Sequence, residues 1–303
     1  MERPRTGNGQ VMIKWILGGL LVCTVPVSAI DFYAHWGDGK AELSSYKVMQ
    51  PRYGEMREGY GVMIFVTEDI HEKTFIKVES PMPEEERLYV LKLNSILKFP
   101  TGIYDYSVMT SVFSQVEGEK HAFDLRKISL SAQEWCGHVF DEVLLRGDTI
   151  KGHLNSYFES EGRRDYRLSR PDAFESEDHL LIRIRELKEP FLESGEVREM
   201  EILPSLWSFR MTHRPHEIAA GRVQKGSEEL VEIAGDTLAA VRWEWSIGLR
   251  QRTLWTEKAY PHRILKWEDG DGGSGEVMRT IRVPYWQLQA NRDEVYRREL
   301  SIP

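Results

Sequence analysis

The sequence predicts a mainly β protein: a strongly curved antiparallel sheet or partial barrel, with two closely packed lobes as the variant arrangement. Short apolar stretches that alternate with a two-residue period recur along the chain. Turn residues separate them at short spacing, and neither a repeated βαβ pattern nor a P-loop or Rossmann glycine motif accompanies them. The 303 residues, 41% hydrophobic and 11% aromatic, can bury a sizeable core. Forty Lys and Arg against 48 Asp and Glu give a formal charge of -8, which supplies no broad attraction for nucleic acid, and none is expected as a partner.

In order along the chain, residues 1–29 read as a signal peptide: Lys14, an apolar run from Trp15 to Val25, then Ser28 and Ala29. That run is shorter than the roughly 20 residues that span a bilayer, so no integral membrane segment is expected in the mature chain. The expected destination is the periplasm, with a soluble product after cleavage. Cleavage removes Cys23 and leaves Cys136 without a disulfide partner.

Residues 30–159 then form an N-terminal β-rich region, 160–178 a charged, turn-rich connection, and 179–303 a C-terminal curved-sheet region. Asp31 to Pro51 is an extended lead-in with Trp36, Leu43, Tyr46 and Val48. In GYGVMIFVTEDI, Val62, Ile64 and Val66 face one side while Met63 and Phe65 face the other, which predicts a strand buried on both sides. Thr74 to Val78 is a second strand candidate, ended by Pro81 and Pro83. Two short extended segments follow in RLYVLKLNSILKF, then a turn at Pro100 to Gly102, then an aromatic strand with Tyr104, Tyr106, Val108, Thr110 and Val112 on one face. Phe123 onward continues the alternation.

Ser131 to Leu145 is ambiguous. Ser131 and Glu134 have capping-box spacing and Trp135, Val139 and Val143 recur every four residues, favouring a helix, whereas Gly137 and the alternation through Phe140 permit a strand. HLLIRIREL reads as an outer strand or a short amphipathic helix, its arginines solvated. Ser205 to Met211 reads as a strand, Glu217 to Val223 and Leu230 to Ile233 as a hairpin about Lys225-Gly226, and Leu238 to Ile247 as a strand with Val241, Trp243 and Trp245 on one face. Asp269 to Gly275 is a hairpin connection between two further strands.

The segments PRYGE, KFPTGIY, SAQEWCGH and YPHRILKWEDG together resemble a family of uncharacterised exported bacterial β-rich proteins. VRWEWS followed by LWTEKAYPHRILKWE resembles periplasmic domains of unknown function built on curved sheets. The resemblance implies fold class and export, and implies no active site.

Candidate chemistry is sparse. Cys136 and His138 are spaced so that an extended backbone brings thiol and imidazole to one side, which would suit a cysteine-dependent hydrolase. His213 and His216 lack a compact set of further ligands, and no metal or cofactor is expected. Glu244, opposite the Trp243 and Trp245 face, reads as a residue bracing the sheet by a hydrogen bond or an ion pair. Trp207, Trp243, Trp245, Trp255, Trp267 and Trp286 cluster in the last hundred residues and could line an apolar cavity or fill a core. The expected function is therefore a periplasmic binding or scaffold protein for an apolar small molecule or cell-envelope partner, with the Cys136 and His138 hydrolase as the alternative.

Overall fold

In a computed structural model of the protein, residues 32–118 and 121–303 are described. The expected signal peptide lies outside them.

Among the described residues fifteen strands form one sheet. In chain order they are β1 (Ala41–Arg52), β2 (Glu55–His71), β3 (Arg87–Thr101), β4 (Tyr104–Glu117), β5 (Ala122–Glu134), β6 (Gly137–Arg146), β7 (Thr149–Ser156), β8 (Arg163–Ser169), β9 (Phe174–Ser176), β10 (Val197–Leu203), β11 (Ala219–Ile233), β12 (Asp236–Ile247), β13 (Arg250–Glu257), β14 (Ile264–Asp269) and β15 (Ser274–Val283). Their spatial order is β8-β7-β6-β5-β4-β3-β2-β1-β15-β14-β13-β12-β11-β10-β9. Four short helices accompany them: α1 (Phe32–Trp36), α2 (Glu177–Arg183), α3 (Leu206–Thr212) and α4 (Val295–Glu299).

The order follows from tight hairpins. Tyr53-Gly54 between β1 and β2, and Ala234-Gly235 between β11 and β12, all have positive φ, the backbone that two-residue turns use to match strand twist. Each hairpin sets the next strand beside the last, and the pairing of β1 with β15 joins the two meanders.

Two parts of the expected fold are corrected. The partial barrel is replaced by an open sheet: β8 and β9 are its edges and do not pair with each other, and β9 runs parallel to β10, so the sheet is mixed. The two-lobed variant is replaced by one continuous sheet. The pattern that suggested curling has another cause. Met63 and Phe65 of β2 enter the main core, whereas Val62, Ile64 and Val66 enter a second cluster with Leu43 and Leu300, packed against Tyr285 and Ile302. The second face is covered by the C-terminal segment, anchored where Ser45 Oγ donates to the Leu300 carbonyl. Burying each such side chain contributes about 1.5–3 kcal/mol.

Local readings change as well. Ser131 to Leu145 is a hairpin, not a helix: Glu134 pairs with Gly137, leaving Trp135 and Cys136 as the turn. A Cβ at Gly137 would meet the Tyr157 ring at 2.6 Å, so the glycine there permits close packing. Thr74 to Val78 contributes only an isolated bridge from Lys77 to Ile70. The predicted hairpin about Lys225-Gly226 is the single long strand β11, irregular between Lys225 and Glu228. Ser205 to Met211 contributes to α3, with the Ser205 hydroxyl accepting from the Ser208 N–H as its N-cap. The 160–178 segment holds both edge strands and the start of α2, and residues 170–173 carry the chain from one edge strand to the other.

HLLIRIREL is the largest departure. It is helical through Arg183 and buried all round, arginines included. Arg185 is fully enclosed, donates to both Glu42 carboxylate oxygens at 2.8 and 3.0 Å and to the Pro261 carbonyl, and lies over the Phe65 ring. Its charge is tolerated because the carboxylate, carbonyl and ring replace its water. Together with α3, this segment covers the main core face of the sheet, and the site lies beneath it.

Candidate functional site

Core-facing positions on β2, β3 and β4 are mostly large: Met63, Leu93, Leu97, Val108 and Val112. Three are small, namely Gly61, Ser95 and Thr110, with Ser95 and Thr110 directly paired across β3 and β4. These side chains leave a cavity of about 110 Å³ under α2 and α3. Leu181 and Trp207 close it on the helical side, and Arg252, Leu254, Trp267 and Asp269 contribute from β13 and β14.

Its polar wall includes Asp178 from the start of α2 together with Arg252 and Asp269, and Glu177, the residue before Asp178, lies just behind it. Glu177 accepts from the Ser205 N–H and from both terminal nitrogens of Arg250, at 2.7 and 2.9 Å. Arg252 makes a second two-pronged pair with Asp269. Asp178 accepts the Leu206 N–H through Oδ2 at 2.9 Å, and no side chain among the described residues bonds its Oδ1. Asp178 is buried and lines the cavity.

The electrostatics separate these neighbours. Burial would raise the Glu177 pKa, but Arg250 and Arg252 outweigh it and hold it below the ordinary range. Burial also opposes charge on Arg252, yet Asp269 and Glu177 raise its pKa. At Asp178 burial prevails, assisted by Glu177 and opposed by the Leu206 N–H and the two arginines, and the pKa is pushed up to about 7. The cavity thus presents one carboxyl poised near neutrality on a largely apolar wall.

Of the six tryptophans read as ligand-binding, Trp207 and Trp267 stand on this wall. Trp207 packs against Phe99 and Tyr106, and its indole N–H is buried without a partner. Trp267 sits 5.1 Å from the Tyr46 ring and lies over Gly275, where a Cβ would meet it at 2.2 Å. Trp243, Trp245 and Trp255 belong to the packed core, and Trp286 is exposed elsewhere. Alternation had put Trp243 and Trp245 on an inward face; α2 and the residues after it fill that face, with Phe191 stacked on Trp243 and Trp245 Nε1 directed at Glu177.

Cys136 occupies an exposed turn, and no hydrogen bond joins it to His138. Glu134, through a hydrogen bond and its charge, raises the thiol pKa and opposes thiolate formation. His213 and His216 turn to different acids, Glu161 and Asp141, both at distances suited to hydrogen bonds. Among the described residues no group of three or more His, Cys, Asp or Glu is placed to hold a metal ion. Glu244 pairs with Arg242 on a half-exposed face.

Two buried networks went unrecognised in the sequence. Ser114 Oγ lies 2.8 Å from His179 Nε2, and His179 Nδ1 lies 2.6 Å from Glu175, the connectivity of a serine hydrolase's charge relay. All three are buried, Ser114 completely, and the cavity wall does not include them. The network pins α2 to β4. Farther along, Asp141 accepts from the Tyr166 hydroxyl and from His216, whose ring stacks on Tyr166 at 4.2 Å. This joins the loop after α3 to β6 and β8.

The chain matches no protein-family model, and no curated protein is similar to it.

Proposed function

We propose that this protein binds a small, predominantly apolar molecule in the cavity beneath α2 and α3. The observation that carries this reading is Asp178: a buried carboxyl with an oxygen left over on a wall where the neighbouring charges, Arg252 and Asp269, are already paired with each other. Burying such a group is costly unless something pairs with it, and convergent polar groups in an apolar hollow are the usual makeup of ligand sites. For scale, an engineered apolar cavity of about 150 Å³ accommodates benzene, so the body of the ligand is a ring or short branched chain. The signal-like segment before Ala29 supports a periplasmic setting, and among the described residues no helix is long and apolar enough to cross a membrane. The Cys136 and His138 hydrolase alternative gains no support from an exposed thiol whose pKa Glu134 raises.

The test fills the cavity. In Thr110→Leu the added carbons project from β4 into the cavity. Cyclopentanol should raise the thermal midpoint of the wild type in a concentration-dependent way and leave that of the variant unmoved. An equal shift in both proteins, or none in the wild type with cyclopentanol or with cyclopentylamine, would overturn the proposal.

A further inference from the structure

We infer that the molecule held in this cavity is a small amine, its ammonium group paired with Asp178. This rests on reading the cavity as a binding site. Charge matching on the polar wall points to it. Glu177 and Arg250 form one two-pronged pair, Arg252 and Asp269 another, and Asp178 is the acid left over. Both arginines already have their charge balanced by a carboxylate, so an anion entering the cavity would add to one surplus carboxyl. A neutral hydroxyl could bond to Oδ1 but would leave the surplus charge uncompensated. An ammonium does both: it donates to Oδ1 and cancels the charge, while Oδ2 stays with the Leu206 N–H.

The arrangement also sets orientation and size. Asp178 comes from the helical side of the cavity, and Met63, Leu93, Val108 and Leu254 line it from the sheet. The nitrogen therefore points toward the start of α2 and the hydrocarbon lies against the sheet. A five-membered ring with one amino group suits about 110 Å³.

The groups that govern Asp178 ionisation are Glu177 on its own helix, Arg250 and Arg252 on β13, Asp269 paired with Arg252 on β14, and the Leu206 N–H at α3. Bound ammonium favours the carboxylate, so an amine should bind more tightly as pH rises through neutrality, and a neutral isostere should not.

Titration calorimetry on the whole protein with cyclopentylamine, cyclopentanol and cyclopentanecarboxylate at pH 8.5 and pH 6 separates these cases. Replacing a neutral hydrogen bond by a charge-assisted one should make the amine bind about 10- to 100-fold more tightly than the alcohol at pH 8.5. That preference should shrink by about tenfold at pH 6, where Asp178 is mostly protonated. Asp178→Asn should abolish the preference while retaining the alcohol, whose binding also reports that the variant is folded. If Asp178→Asn fails to fold, the wild-type preference and its pH dependence carry the test. Alcohol binding as tight as the amine, or tighter binding of the carboxylate, overturns the amine inference and leaves the cavity proposal standing. Binding of none of the three overturns both.

Discussion

Replacing Asp178 by Asn should stabilise the protein above neutral pH, although it removes a buried, hydrogen-bonded residue. The amide has the shape of the protonated acid: its carbonyl oxygen can accept the Leu206 N–H in place of Oδ2, and its NH2 stands where Oδ1 meets the cavity. The wild-type carboxyl has an ordinary pKa of 3.8 and a folded value of about 7. Below pH 3.8 folded and unfolded chains both carry the proton, and the two proteins should be about equally stable. Between pH 3.8 and about 7 the folded chain keeps a proton that the unfolded chain has lost, so wild-type stability falls with rising pH relative to the variant. The slope is about 1.4 kcal/mol per pH unit, accumulating to roughly 4 kcal/mol before levelling off above pH 7. Glu175 and Glu177, whose pKa values are lowered, act in the opposite sense, losing stability as pH falls. Glu175 lies away from the substitution and largely cancels in the difference. Urea unfolding of both proteins from pH 4 to 9 without ligand measures that difference directly. A difference that does not change with pH, or a variant less stable than the wild type at pH 8.5, would show that Asp178 is ionised at little cost, and the account of the polar wall would fail.

Other consequences follow from the same packing. Glu42→Gln should cost about 3–5 kcal/mol in urea unfolding because it leaves Arg185 enclosed without its carboxylate, whereas Glu42→Met combined with Arg185→Met should cost less than that single change; the reverse ranking would refute the reading of this pair. Ser114→Ala should cost about 1–3 kcal/mol by leaving His179 Nε2 unpaired, and a fluorophosphonate probe should not label native Ser114; labelling of the wild type that disappears in Ser114→Ala would make the triad catalytic. Glu134→Gln should speed alkylation of Cys136 by iodoacetamide at pH 8, because the carboxylate that disfavours the thiolate is gone. An unchanged or slower rate would contradict that cause.

Several strands were legible from local pattern alone. β2 was legible in GYGVMIFVTEDI, β4 in the alternation from Tyr104 to Val112, and β12 in VRWEWSI, because a two-residue period is a local property of the backbone. The same pattern also gave the burial of both faces of β2. What covers those faces was not legible, since Val62 shares a cluster with Leu300, more than 200 residues further along the chain, and no local pattern encodes that. The same limit explains the misread helices. Ser205 to Met211 alternates well enough for a strand, but in the fold it is a helix whose start is held by the Ser205 cap and by the acids of α2 at its first N–H groups.

The site was legible in two residues, Trp207 and Trp267, and then only as members of a larger set. Asp178 was hidden at the edge of a segment that looked like a solvated linker, although the apolar run HLLIRI immediately after it marked the start of a buried element. What makes Asp178 distinctive is that its neighbours Arg250 and Arg252 are committed to Glu177 and Asp269, and that Gly61, Ser95 and Thr110 leave space in front of it. Arg250 reaches Glu177 from 73 residues away in the chain, and Arg185 reaches Glu42 from 143. Whether a charge is solvated, paired or left over depends on partners that folding brings from that distance, so only the tertiary structure could decide it.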